Sequence, residues 1–313
     1  MPDSERIDHD QIFKRLFKEF FREFLEGFLP AVAEEVDFSK VEFLEQEFFT
    51  DINRGRRKLL DLVAKVRLRD GRDEFILLHT EFQSSKPDPR EFPERMFKYL
   101  CQLFLRFGKP VIPVVVFSDD RKWRYPVPDV FRMEFKGVEY LRFHYHSIKL
   151  KHYDWRSFID SGNPLIYALM SKMDYDKSDL VRLKIDFLRL VLKSERNMAR
   201  RELLVEFVES YVILDEGRQK EFEELVSSVP EMKEIRKMLT IYEQRGIQQG
   251  IQQGIQQGVM NAAREDVVEV LESRFGRVPR RVRSMVGKCD DLTILRLALR
   301  KAATAPSLDD FKF

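Results

Sequence analysis

The chain has 313 residues, room for about two domains at roughly 150 residues each. Hydrophobic residues make up 43% and charged residues 35%, so a packed core is possible and the surface is unusually charged. With 55 Lys and Arg against 53 Asp and Glu the net charge is only +2, which excludes a protein that coats nucleic acid with its whole surface but not a local basic groove.

From Asp8 to about Leu29 the apolar residues fall at Ile12, Phe13, Leu16, Phe17, Phe20, Phe21, Phe24, Leu25 and Phe28. That spacing predicts one amphipathic helix, ending near Gly27 and Pro30, and it absorbs many of the 27 Phe. A short helical or turn segment follows to Ser39, and Val41 to Asp51 reads as a strand or extended edge. After the basic run 54–58, Leu59 to Leu68 reads as a strand. Asp70-Gly71 is a hairpin signal, and Glu74 to Gln83 is the returning strand.

Ser84 to Pro89 breaks regular structure, Phe92 to Phe107 reads as a helix, and Val111 to Phe117 as an apolar strand buried on both faces. This order predicts a compact α/β domain. A further strand pair is expected within Val130–Leu150. Beyond about Lys177 the pattern is helical, over Leu180–Lys193, Arg201–Leu214 and Phe222–Tyr242.

Gly246, Gly250, Gly254 and Gly258 then open a repeat of four residues, Gly-Ile-Gln-Gln, ending in Gly-Val. Glycines in a helix cost on the order of 1 kcal/mol each relative to Ala. The segment is therefore either a self-association seam through Ile247, Ile251, Ile255 and Val259 or a partly flexible linker. The absence of charge from Gly246 to Met260 favours the seam, and with it a homo-oligomer. A small helical module closes the chain, with ten Lys and Arg against six acids between Arg264 and Lys301. Its basic face suits DNA docking or oligomerisation, with a merely solvated face as the default reading.

Alternation puts Asp61, Val63 and Lys65 on one face of the first strand of the hairpin, and His79, Glu81 and Gln83 on one face of the second. A carboxylate among Leu and Val is costly to desolvate unless it meets a cation or a donor. Asp61 has two readings at this point, an ion-pair partner of Lys65 or a metal ligand. Two carboxylates on neighbouring strands can share an ion, and an all-oxygen site suits Mg²⁺ or Mn²⁺ rather than Zn²⁺. His144, His146 and His152 lack acidic neighbours at ligand spacing and read as structural. Trp123 and Trp155 read as packing residues, and Cys101 and Cys289 as inert buried thiols, too few for a disulfide framework. The charged N-terminus has no apolar segment after it, and no apolar run approaches the roughly 20 residues of a membrane span. A cytoplasmic protein with no membrane partner is expected.

The strand residues sit in a wider context. His9-Asp-Gln-Ile-Phe-Lys14 opens the first helix, and Arg57 to Val66 carries the aspartate. Leu77-Leu-His-Thr-Glu-Phe-Gln-Ser84 and Arg95-Met-Phe-Lys-Tyr99 follow in that order. Together with the Gly-Ile-Gln-Gln repeat they resemble the Rpn (recombination-promoting nuclease) and putative-transposase family of PD-(D/E)XK proteins. The last fifty residues look like a small domain of unknown function often appended to that family.

The resemblance implies a restriction-endonuclease-like core, a mixed sheet flanked by helices, followed by an all-helical C-terminal part. Its bounds are 1–176 for the core, 177–245 for a helical extension, 246–260 for the repeat and 261–313 for the terminal module. It implies a DNA endonuclease in which Asp61 and Glu81 hold Mg²⁺ or Mn²⁺ and Gln83 or Lys65 orients the attacking water. Asp10 serves as an outer acid, and Lys14, Arg56, Arg57, Lys58 and Arg95 meet phosphates. Relatives commonly carry Glu-His-Gln-Ser, whereas Phe82 stands here in the second position, facing away from the proposed ion. Two other readings are a catalytically silent DNA-binding or self-assembling protein, and a true transposase, for which no D-D-E spacing is evident.

Overall fold

The computed structural model describes residues 9–44, 62–70, 75–83, 88, 91–228, 233–308 and 310–311. The chain divides into two compact units, Met1–Leu239 and Thr240–Phe313.

In the first unit the expected long helix is two, α1 (His9–Glu19) and α2 (Phe21–Phe28). The break falls at Phe20, with φ −112° and ψ 36°. Neither Gly nor Pro marks it, so the sequence carries no local signal for it. The apolar stripe nevertheless continues across the break, and Phe13, Leu16, Phe17, Phe20, Phe24 and Leu25 are almost wholly buried.

A short helix, α3 (Pro30–Glu35), leads directly into β1 (Val36–Phe43), so this strand starts earlier than Val41. Asp37 and Ser39 are poor strand formers. The ladder to β2 (Leu62–Leu68) overrides them, with Val36 opposite Leu68 and Glu42 opposite Lys65. β2 pairs antiparallel with β3 (Phe75–Gln83). Helix α4 (Glu91–Phe107) then carries the chain to β4 (Val111–Phe117), which lies parallel to β3.

The expected strand pair forms, but as a separate hairpin of β5 (Val130–Phe135) and β6 (Val138–His144). Lys136 and Gly137 both have positive φ, 50° and 78°, as a tight two-residue turn of the hairpin-favouring hand requires. The hairpin base rests on α4, with Phe97 5.3 Å from Phe131 and 5.5 Å from Phe143 between ring centroids. β7 (His146–Lys149), a strand of four residues that the sequence pattern does not single out, completes the main sheet in the order β1-β2-β3-β4-β7.

The faces of the sheet explain its composition. Leu62, Ala64, Val66, Val114, Val116 and Ile148 join one core with α1 and α2. Val63, Val115 and Phe117 join a second with Phe92, Met96, Tyr99 and Leu103 of α4. β4 is buried on both faces as expected, and Val114 to Phe117 have no exposed surface.

Helices α5 (Pro164–Leu169), α6 (Leu180–Ser194), α7 (Met198–Tyr211) and α8 (Glu216–Ser228) contribute to the α1–α2 side of the core. Residues after 177 thus share the core of the residues before it. Phe13 meets Phe207 of α7 edge-on at 5.0 Å, and Arg15 reaches Glu206 at 3.1 Å. Gly27 lets α2 approach α5 closely, since a Cβ there would lie 2.7 Å from Cδ1 of Ile166.

Helix α9 (Lys233–Phe275) runs unbroken through the Gly-Ile-Gln-Gln repeat, so the segment is helix. The second unit adds α10 (Arg280–Gly287) and α11 (Leu292–Thr304). Its own small core comprises Val267, Leu271, Val278, Val286, Leu295, Ala298 and Ala302. No helix among the described residues is long and apolar enough to cross a membrane.

Candidate functional site on the central hairpin

The β2–β3 hairpin sits in the middle of the sheet, with β1 on one side and β4 on the other. Leu62 stands opposite Thr80, Val63 opposite His79, and Lys65 opposite Leu77. Across the parallel ladder, His79 stands beside Pro113, Glu81 beside Val115 and Gln83 beside Phe117. Directly opposed residues share a face. The row of His79, Glu81 and Gln83 therefore belongs to the face that α4 covers, where Val63, Val115 and Phe117 are buried. Phe82 stands beside Val116, in the row of the other core.

Asp61, Arg56, Arg57 and Lys58 lie outside the described residues, and of Asp10, His79, Glu81 and Gln83 only the backbone placement is described. In the sequence Asp61 directly precedes Leu62, and Glu81 directly follows Thr80, the residue opposite Leu62. Lys65 stands four residues along the ladder from Glu81, about 13 Å at 3.3 Å per residue. Its ammonium is 3.5 Å from Glu42 of β1. Lys14 is half-buried on α1. Arg95, also half-buried, lays its guanidinium over the Phe92 ring at 4.8 Å. Among the described residues no group of three or more His, Cys, Asp or Glu could hold a metal ion.

Two features of this region carry no sequence signal. Tyr145, just before β7, is buried against Phe92 and Phe143, and its hydroxyl has no hydrogen-bond partner among the described residues. Burial, with Asp129 next, pushes its phenol far above the ordinary tyrosine range, and Arg95 opposes them. The second feature lies at the ends of β4 and β7, where Lys149 donates to the Asp119 carboxylate at 2.5 Å and to its carbonyl at 2.6 Å. The same ammonium sits 4.8 Å over the Trp123 ring, and the Trp123 indole donates to Asp119 at 3.2 Å. Nε2 of His152 accepts from the Trp123 backbone N–H at 3.1 Å, and Lys172 donates to Asp120 at 2.6 Å. These partners consume one another, so the cluster fastens the loop after β4 to β7. Isolated Asp and Lys residues far apart in sequence give no hint of it.

His152 is thus held by a structural bond, as expected of the scattered histidines, and Trp123 and Trp155 are buried. The cysteines differ from expectation. Both are free and only half-buried, and Cys289 packs against the edge of the second unit's core.

What the fold and this hairpin define is a mixed α/β protein with an acidic position, Glu81, on a central strand and a helical C-terminal region. A family model described as "Putative transposase, YhgA-like" matches residues 7–220, more than half of the chain, and the protein belongs to that family. Membership points to a role connected with mobile genetic elements. Neither the curated proteins nor the solved structures yield a match.

Proposed function

We propose that the protein is a metal-dependent DNA endonuclease of the PD-(D/E)XK type. The observation that carries this reading is the order of elements around Glu81. An antiparallel β1-β2-β3 arrangement, a helical crossover through α4 and a parallel β4 surround the strand that carries Glu81, and this order supports the reading. That order is the one expected of a restriction-endonuclease-like core.

Asp61 and Glu81 would hold Mg²⁺ or Mn²⁺, and the all-oxygen donor set they offer fits a hard cation. Such an ion, when bound, polarises the scissile phosphate and lowers the pKa of water. The chain's own residues do the rest. Gln83, two residues from Glu81 and in the same row, orients the attacking water. Lys65 is less suited, being four residues away along the ladder and engaged by Glu42. Asp10 on α1 serves as the outer acid. Lys14, Arg56, Arg57, Lys58 and Arg95 meet the phosphates, and Arg95 is held for this by its stacking on Phe92.

Incubating the full chain with supercoiled plasmid and Mg²⁺ or Mn²⁺ tests the reading. Nicking is expected, with loss in Asp61→Ala and Glu81→Ala and a fall on the order of 100-fold in Gln83→Ala. Nicking unchanged in the first two variants rejects the site.

One observation favours a role in assembly as well. Ile251, Ile255 and Val259 of α9 are 59%, 61% and 45% exposed, at a spacing of four on an uncharged stretch. A second copy packed along this face would cover them, giving a homo-oligomer. Without nuclease activity, the same fold would serve as a DNA-binding or self-assembling protein.

A further inference from the structure

The seven cations between Arg264 and Lys288 fall into two groups. Three arginines are structural. Arg264 donates to the Cys289 carbonyl and Asp290, Arg274 to the Ala302 carbonyl, and Arg283 to Glu272. Arg277, Arg280, Arg281 and Lys288 are exposed, and none of their side chains has a hydrogen-bond, ion-pair or ring partner among the described residues.

Their placement on α10 is one-sided. At 100° per residue Arg280, Arg281, Ser284 and Lys288 span an arc of about 100°. Val282 and Val286 point the other way, and Val286 and Val278 are buried in the unit's core. The neighbouring acids are already engaged. Asp290 pairs with Arg264, and the Asp291 carboxylate caps α11 by accepting from the N–H groups of Thr293 and Ile294.

Stability does not explain these cations. Arg280 and Arg281 open α10, where the helix dipole disfavours positive charge, and no acid occupies its first turn. A basic face that costs the helix something and whose side chains bind nothing among the described residues fits an external polyanion.

We propose that this face of α10, with Arg277 from the preceding turn, docks the second unit on the phosphate backbone of double-stranded DNA. The inference deepens the DNA reading above and rests on it for the partner. Guanidinium groups match phosphate oxygens bidentately, and three of the four cations are Arg. A membrane surface fits less well, because the apolar side of α10 is committed to the unit's own core and is not free to enter lipid. Backbone contacts of this kind carry no sequence information. The unit therefore adds affinity to cleavage that the first unit performs.

The test is fluorescence anisotropy of a labelled duplex with the full chain across a series of NaCl concentrations. The wild-type chain is compared with Arg277→Gln/Arg280→Gln/Arg281→Gln, and circular dichroism verifies the fold. The triple variant is expected to bind more weakly at every salt concentration. The slope of log K against log salt should become shallower by about one for each phosphate that the variant no longer neutralises. Equal affinity and slope for variant and wild type overturn this inference and leave the nuclease reading standing. No duplex binding by the wild-type chain fails the DNA reading itself. Binding to phosphatidylserine vesicles but not to DNA overturns the choice of partner. Where the triple variant does not fold, Arg280→Gln alone, at an exposed position without partners, reads the same slope with a change of about one.

Discussion

Lys149 and Asp119 form an ion pair whose side chains are 1% and 7% exposed, with Nζ 2.5 Å from Oδ2. The residues are thirty positions apart, at the end of β7 and just after β4, and their contact closes that end of the sheet. Burial pulls the Lys149 ammonium below its ordinary value, and its bond to Asp119 opposes this.

Removing one partner leaves the other charge buried without compensation. Lys149→Ala or Asp119→Ala should destabilise the first unit by about 3–5 kcal/mol. Lys149→Met with Asp119→Asn, which removes both charges, nearly keeps both volumes and leaves an acceptor for the Trp123 indole, should cost less. Urea unfolding of the three variants measures both, and a single variant as stable as wild type would contradict the pairing.

Tyr145 makes the opposite prediction. Its buried hydroxyl has no partner among the described residues, so Tyr145→Phe should raise stability, by about 1 kcal/mol or more, while keeping the ring contacts with Phe92 and Phe143. A fall in stability by thermal or urea unfolding would mean that the hydroxyl is satisfied in solution.

The glycines of α9 separate the isolated chain from its assembly. A Cβ at Gly250, Gly254 or Gly258 would meet nothing within 4 Å. Alanine at these positions should therefore strengthen the helix by about 1 kcal/mol each. If copies pack along this face, the same changes should lower the oligomer mass measured by light scattering, because the added methyl groups hold the backbones apart. Stronger helix with unchanged mass would place the seam elsewhere.

Acid should weaken the first unit. Desolvation, first, and the nearby Lys149 and Lys122 hold the imidazole of His152 below its usual pKa, and desolvation does the same for His146. The unfolded chain then binds more protons than the folded one as pH falls through and below the free-histidine range, about 6.5. Stability is full above that range and declines beneath it. His152→Gln keeps an acceptor for the Trp123 N–H and should flatten part of the pH dependence in chemical unfolding curves, with His146 supplying the remainder. An unaltered slope would remove His152 as a cause.

The sequence by itself determined the α1–α2 stripe, the β2–β3 hairpin, α4 and β4, and did so for a physical reason. Each buries a face whose period of 3.6 or 2 residues is written directly in the order of apolar residues. The same local reading singled out Glu81 and Gln83, since a polar residue inside an apolar strand stands out. What it could not decide depended on partners far along the chain. The break at Phe20 and the early start of β1 at Val36 come from packing and ladder pairing, against weak local preference. β7 is too short to carry a period, and β4 is the neighbour that makes it a strand. The Lys149–Asp119 pair exists only because two strand ends meet. The repeat is a similar case. Its glycines left helix and linker open in the sequence, and the structure makes it helix, with a seam still requiring a second chain to fill it. Periodicity is a property of neighbours in sequence, while breaks, edges and buried charges are settled by neighbours in space.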